Sequence, residues 1–115
     1  LGRPNCPDCR EDDRHFTTDT LRKIGFKDDD IPLVKPQIGR GCETCNGTGY
    51  KGRRGVYEVL RINPELEDAI LREALAPELL QAARADGFET MQDIARGFVR
   101  DGTFSLAEYT RILVL

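Results

Sequence analysis

Two pairs of cysteines are the residues of this sequence whose type and spacing most clearly indicate chemistry. Cys6 and Cys9 form the first pair, Cys42 and Cys45 form the second, and each pair encloses two residues. A C-x-x-C turn can present two sulfurs to one metal ion, and four thiolates make a closed tetrahedral zinc site with no open position for hydrolysis. With no secretory context, two such pairs predict a structural Zn²⁺ site and a reducing compartment rather than two disulfides.

A redox dithiol is one alternative for these cysteines. Neither pair has the thioredoxin-like setting, in which a strand leads into the N-terminus of a helix that begins at the C-x-x-C. The segment 42–49 has the form C-x-x-C-x-G-x-G, the unit that DnaJ-like co-chaperones repeat four times, but here it occurs once. His15 could replace one sulfur as a ligand, although a lone histidine in a polar stretch is more often solvated.

Composition narrows the classes of function. The chain has 115 residues, 17 basic and 20 acidic, so it lacks the basic excess typical of a general nucleic-acid-binding surface. We find no signal peptide and no apolar run long enough to cross a bilayer. A phosphate-binding G-x-x-x-x-G-K-[ST] loop, an H-E-x-x-H motif and a catalytic triad are missing from these residues, so we expect no enzyme activity from them alone. The first residue is Leu1 rather than Met, which favours a piece of a larger protein.

Helices dominate the elements that we expect to position the cysteines, in a fold of the α+β class that is mainly α. The polar stretch 10–41 separates the two pairs and is predicted to be an insertion held at its base by the metal. Within it we expect a helix over Thr18–Ile24, capped by Thr17 or Thr18 and ended by Gly25. Proline at positions 32 and 36 limits the rest to loop with one short extended piece.

Residues Gly55–Ile62 have the pattern of a buried strand. They place large apolar side chains on both faces, which is typical of a strand inside a layered sheet: Val56, Tyr57, Val59, Leu60 and Ile62. No second strand of equal quality is present, so we expect this one to complete a sheet whose remainder lies outside these 115 residues.

About four helices are predicted after that strand. Each begins at a cap or a proline and the apolar residues recur at helical spacing: the starts are Asn63-Pro64, Pro77, Thr90 with Asp93, and Ser105 with Glu108. We therefore expect two subdomains, a zinc-binding subdomain over residues 1–52 and a strand-plus-helix subdomain over residues 53–115.

The segment around the second cysteine pair resembles the zinc-binding element of the ATPases that power type IV pilus assembly and type II secretion. The family's pattern, GC-x-x-C-N-x-T-G-Y-[KR]-G-R-x-G-[IV]-Y-E, is matched by Gly41, Cys42, Cys45, Asn46, Thr48, Gly49, Tyr50, Lys51, Gly52, Arg53, Gly55, Val56, Tyr57 and Glu58. The family's C-terminal tail is matched in spacing by Met91, Val99, Gly102, Ser105, Leu106, Glu108 and Arg111. Gln92-Asp93-Ile94 stands where the family usually carries Asp-Gly.

The resemblance implies a protein larger than this chain. Members of the family are RecA-like motor ATPases that work as homohexameric rings on the cytoplasmic side of the bacterial inner membrane and move a membrane platform protein. ATP and Mg²⁺ would then bind in an upstream motor domain, and this chain would be the zinc-binding and C-terminal region. The partners implied are that upstream domain, neighbouring subunits and the platform protein, with no nucleic acid. What docks on the stretch 10–41 stays open.

Two further expectations follow from the resemblance. The motif puts Arg53 near the family's nucleotide cleft, where a guanidinium can meet phosphate oxygens, with Lys51 and Arg54 solvated or structural. The long insertion and the sequence NGTGYKGRRGVYE are more similar to the pilus-assembly branch than to the type II secretion branch. A standalone zinc-ribbon adaptor and a DnaJ-like thiol module are the alternatives from other classes.

Overall fold

The computed structural model describes residues 1–113, and these fall into two compact units. Unit 1 consists of Leu1–Val56 together with the chain from Met91 onward, and unit 2 consists of Tyr57–Thr90. The fold is α+β and mainly helical, with one two-stranded sheet and five α-helices. Unit 1 contains all four cysteines, so it is the unit that matters for the predicted metal site.

A short β-ribbon in unit 1 joins the chain after the first cysteine pair to the chain before the second. Strands β1 (Arg10–Asp12) and β2 (Gln37–Gly39) are antiparallel, with Glu11 opposite Ile38. The extended piece expected in the insertion is β2. Its partner β1 was not predicted, because three polar residues carry no alternating pattern.

The insertion helix follows its local signals closely. Helix α1 (Thr18–Lys23) has Thr17 as its N-cap, and the Thr17 side chain accepts a hydrogen bond from the Thr20 backbone N–H. Gly25 ends the helix with φ of +106°, as predicted. A single 3₁₀ turn at Ile31–Leu33 then leads towards β2.

Helices α4 (Met91–Arg100) and α5 (Leu106–Leu113) return to unit 1 and supply much of its core. Their buried side chains pack with those of the insertion in one cluster: Leu21, Ile24, Phe26, Ile31, Val34, Val56, Ala95, Val99, Phe104, Leu106 and Tyr109. Arg96 Nη1 and the Tyr109 hydroxyl both donate to the Ile24 carbonyl, at 3.1 and 3.3 Å. The C-terminal helices therefore hold the insertion as well as each other.

Unit 2 is a helical hairpin. Helix α2 (Pro64–Leu71) begins at Asn63, whose Oδ1 accepts from the Leu66 N–H at 2.7 Å, and helix α3 (Ala76–Ala85) follows it. Both starts agree with the sequence-based expectation, as do those of α4 and α5, so four helices follow residue 62 as predicted.

The predicted strand over Gly55–Ile62 does not form among the described residues of this chain. None of these residues pairs with another strand in the described part of the chain, and the segment is irregular from Gly55 to Ile62. Tyr57, Val59 and Ile62 are 70%, 72% and 59% exposed. A strand needs a neighbour for its backbone hydrogen bonds, and no described residue of this chain provides one.

The predicted subdomain boundary at residues 52 and 53 stays a prediction, and the compact units cut across it because α4 and α5 belong with the cysteine-bearing segment. Among residues 1–113, no helix has the length and apolar character needed to cross a membrane.

Candidate metal centre

The four cysteines predicted as ligands meet in one cluster of unit 1. Their Sγ atoms all lie within 4.8 Å of one another, and Cys6, Cys9 and Cys45 are buried while Cys42 is half-buried. Three of the sulfur–sulfur distances are 3.7 Å (Cys6–Cys42), 3.9 Å (Cys9–Cys45) and 3.7 Å (Cys42–Cys45). The cysteine pairs that flank the two ends of the insertion thus lie side by side.

These distances fit a single tetrahedral ion. A zinc–sulfur bond of about 2.3 Å implies a separation of about 3.8 Å between any two sulfurs of a regular tetrahedron. The three distances given above bracket that value. All four cysteines are free rather than disulfide-bonded. The residues therefore fit a closed tetrathiolate site, the arrangement that holds zinc or iron–sulfur centres in proteins.

Backbone N–H groups point at two of the sulfurs. The Gly41 N–H donates to Cys9 Sγ at 3.2 Å, and the N–H groups of Cys42 and Gly49 donate to Cys45 Sγ at 3.2 Å each. Such donors stabilise thiolate over thiol, because they favour the charged form. The turns that carry the cysteines thus also prepare sulfur for metal binding.

The same environment separates the pKa values of two of the thiols. Burial raises the pKa of Cys9 to about 11, despite the Gly41 donor. Burial also pushes the pKa of Cys45 upward, but the N–H donors from Cys42 and Gly49 and the neighbouring thiols outweigh it and lower that pKa to about 6. The thiolate form of Cys45 is therefore favoured near neutral pH.

A close approach of two backbones brings the pairs together. A Cβ atom added at Gly39 or at Gly49 would overlap the backbone carbonyl of the other residue. Gly49 also has φ of +80°. Only glycine at both positions lets the end of β2 pass the turn that follows Cys45.

Residues outside the cysteine motif hold the segment before Cys6, and the sequence did not reveal this role for them. Asn5 is buried and its Nδ2 donates to the carbonyls of Gln37 and Gly102, at 3.1 and 3.0 Å. Glu108 is fully buried and ion-paired with Arg3 and Arg111. Arg3 and Glu108 are separated by 105 positions, so no local pattern could have linked them.

The basic loop after the second cysteine pair places its three cations differently. Lys51 Nζ donates to the Thr44 carbonyl at 3.3 Å, and the Arg54 guanidinium lies 4.9 Å from the centre of the Phe98 ring. Arg53 is exposed in the loop between them. That Arg53 lies near a nucleotide stays a prediction.

His15 does not join the cysteines. It is exposed after β1, and its backbone N–H donates to Asp13 Oδ1 at 2.8 Å. Within residues 1–113, the candidate ligand set consists of the four cysteines.

Comparison with known proteins identifies the family of this chain. Residues 1–111 match the model of the type II/IV secretion system protein family. The chain therefore belongs to that family.

Similar curated proteins carry two kinds of name. The Type IV pilus assembly ATPase PilB of Pseudomonas aeruginosa is 33% identical over 112 residues, covering 97% of this chain and 19% of the relative. The protein of the same name from Thermus thermophilus is 34% identical over 93 residues, covering 81% and 10%. The Type II secretion system ATPase E of Vibrio cholerae is 32% identical over 112 residues, covering 97% and 22%. This chain thus spans about a tenth to a fifth of the relatives' length.

Proposed function

We propose that the four cysteines hold one structural zinc ion in a region of a larger motor ATPase. The observation that carries this proposal is the gathering of Cys6, Cys9, Cys42 and Cys45 within 4.8 Å in a chain of this family. A tetrathiolate site leaves no position open for substrate, so the ion would stabilise the fold rather than react. It would fasten the insertion 10–41 at its base.

Metal analysis tests the zinc assignment. Full-length protein, purified without a metal-affinity step, is expected to contain one zinc per chain. Cys42→Ser should lose most of the zinc, whereas Thr44→Ser, an exposed position in the same turn, should keep it. Iron in place of zinc, or four thiols that titrate freely in the folded protein, would sink the assignment.

ATP hydrolysis is proposed to reside in the part of the longer protein that lies outside this chain. The names of the relatives support an ATPase, and the chain covers only a small part of them. We expect the 115-residue fragment neither to bind ATP tightly nor to hydrolyse it, and the full-length protein to hydrolyse ATP with Mg²⁺. ATPase activity in the fragment that survives repurification and disappears with a point mutation would contradict this.

Residues 57–62 are proposed to complete a RecA-like sheet in the full-length protein. Their apolar side chains are exposed in this chain, and an exposed apolar edge is unfavourable unless something covers it. The upstream motor domain would cover it. The family resemblance further supports a homohexamer on the cytoplasmic side of the inner membrane that acts on a platform protein.

Type IV pilus assembly is the process that we propose for the motor. The length of the insertion and the motif around Lys51 and Arg53 support the pilus branch, while the match to a type II secretion ATPase supports the second candidate. Disruption of the gene in the source bacterium, with counts of surface pili and assays of secreted enzymes, separates them. Normal pili with lost secretion would reverse the choice. A standalone zinc-ribbon adaptor would be indicated if no phosphate-binding loop is encoded in frame upstream.

Arg53 is proposed to lie near the nucleotide of the assembled motor. Its two basic neighbours have partners within unit 1, Lys51 at the Thr44 carbonyl and Arg54 at the Phe98 ring of α4, which leaves Arg53 as the candidate for a phosphate contact. Arginine contributions to phosphoryl transfer can reach ~10³-fold. Arg53→Ala in the hexamer should therefore lower ATP turnover strongly, with Lys51→Ala as the matched control. Turnover that stays within about twofold at unchanged zinc content would assign Arg53 a structural role.

A further inference from the structure

Two of the three residues directly before Cys6, Arg3 and Asn5, are bound by the C-terminal helical region. The Asn5 N–H donates to the Thr103 carbonyl at 2.7 Å, and Asn5 Nδ2 donates to the Gly102 carbonyl at 3.0 Å. Both carbonyls belong to the turn between α4 and α5. This turn therefore helps to hold the backbone leading into the first cysteine pair, together with backbone hydrogen bonds between Gly2, Pro4 and Cys6 and the segment 49–54.

Glu108 on α5 makes the strongest part of this attachment. The Arg3 N–H donates to Oε2 at 2.6 Å, and Arg3 Nη2 donates to Oε1 at 2.9 Å. Arg111 donates to both oxygens of the same carboxylate, at 2.7 Å each. Glu108 is fully buried while both arginine side chains are about half exposed. A buried carboxylate with two guanidinium partners is well satisfied, and losing its charge leaves both cations unpaired.

Arg3 also contacts the turn that follows the second cysteine pair. Its guanidinium lies 4.3 Å from the centre of the Tyr50 ring. Tyr50 follows Gly49, whose carbonyl accepts from the Cys6 N–H at 2.9 Å and whose own N–H donates to Cys45 Sγ. A substitution at Arg3 would therefore affect both cysteine pairs, through Tyr50 and the adjacent Gly49.

We propose that Glu108 is a positioning residue for the metal site: it holds Arg3, and so keeps the segment before Cys6 beside the Tyr50 turn. This inference rests on the proposed zinc site. When the segment before Cys6 is held in place, Cys6 and Cys9 have a high effective concentration at the ion that Cys42 and Cys45 bind. Releasing that segment lowers this effective concentration. Retention of the metal thus depends on a helix that contributes no ligand.

The rate of zinc release to an excess of a chromophoric chelator tests this in the full-length protein. Glu108→Gln keeps the shape of the side chain and removes its charge. We expect zinc release to become roughly tenfold faster, the lower end of the effect seen when residues that support metal ligands are changed. Asp28→Asn is the matched control, because it removes the charge of an exposed ion pair with Arg22 in the same unit. Its release rate should equal that of the wild type.

A second control separates positioning from general loss of stability. Val99→Ala removes methyl groups from the core of unit 1 at a fully buried position. The zinc release rates of Val99→Ala and Glu108→Gln are each measured the same number of degrees below the melting temperature of that variant. If Val99→Ala releases zinc as fast as Glu108→Gln there, Glu108 acts through global stability only, and the proposal is overturned.

The remaining outcomes are also decisive. A wild-type protein without metal defeats the proposed zinc function, whereas a zinc-loaded wild type and a Glu108→Gln variant with equal release rates defeat this inference alone. If Glu108→Gln fails to fold, Arg3→Gln replaces it, since the Arg3 side chain is half exposed. A wild-type release rate in Arg3→Gln would likewise overturn the proposal.

Discussion

At the scale of single residues, two glycines decide whether the four sulfurs can gather. Gly39 ends strand β2 and Gly49 follows the second cysteine pair. A Cβ added at either position would overlap the backbone carbonyl of the other. The cysteines themselves could be predicted from their spacing, because a metal ligand set has a local pattern. The glycine contact could not, because it depends on which backbones meet in three dimensions.

Gly49→Ala is expected to weaken the metal site much more than Gly47→Ala. Both glycines have positive φ, +80° and +76°, so both substitutions carry the strain of a left-handed residue, about 1–2 kcal/mol. A Cβ at Gly47 meets nothing within 4 Å, whereas one at Gly49 overlaps the Gly39 backbone. Urea unfolding of the zinc-loaded protein should show a loss of about 3 kcal/mol or more for Gly49→Ala. Equal losses for the two variants would mean that the backbones separate without penalty.

Zinc binding at pH 7.5 is expected to release fewer than four protons, because metal binding displaces thiol protons and Cys45 has little proton left to give. The pKa of Cys45 is lowered to about 6, so this thiol is ionised before the metal arrives. The pKa of Cys9 is raised to about 11, so its proton must be displaced. Affinity should therefore rise with pH, and the number of protons released should increase as the pH falls through about 6, where Cys45 becomes protonated. Calorimetry in buffers of different ionisation enthalpy measures this count, and four protons at pH 7.5 would contradict it.

At the scale of elements, helices could be predicted and the sheet could not. Thr17, Asn63 and the glycines at positions 25 and 87 are local start and stop signals, and the helices α1 to α3 respect them. The β1–β2 ribbon has three residues a strand and no apolar alternation. The segment 55–62 has a strand-like pattern but no partner strand among residues 1–113, which explains why it stays irregular.

Val59→Ser is expected to change stability much less in the fragment than in the full-length protein. Val59 is 72% exposed here, so the change should shift the fragment's free energy of unfolding by less than about 0.5 kcal/mol. If the upstream domain covers the segment, the same change should cost about 1–3 kcal/mol in the full-length protein. Leu71→Ser, 76% exposed at the end of α2, is the control outside the segment. A Val59 effect that is small in both contexts would argue against sheet completion.

At the scale of the whole molecule, the metal site belongs to one unit and not to the other. Unit 1 contains the cysteines, the insertion and α4 with α5, whereas unit 2 contains α2 and α3 with their own buried residues Leu66, Ala69 and Ala83. The order of elements along the sequence concealed this, since α4 and α5 follow the hairpin but pack with the N-terminal segment.

Removal of the metal is expected to loosen unit 1 selectively. In Cys42→Ser, or after treatment with a chelator, amide hydrogen exchange should speed up across residues 1–56 and in α4 and α5. Protection within α2 and α3 should change little, because the hairpin has its own apolar contacts. Exchange that rises equally in both units would show that they unfold together.

The discontinuity of unit 1 has a consequence for biosynthesis. A ribosome makes Cys6 through Cys45 before it makes the turn at Gly102 and the helix that bears Glu108, which hold Asn5 and Arg3. At 5–20 residues per second, translation from Cys45 to the end of α5 takes roughly 3–14 s. During that interval the nascent thiols lack their completed enclosure and are accessible to oxidants and to competing metals. The correct ion must therefore be available while the rest of unit 1 is being synthesised.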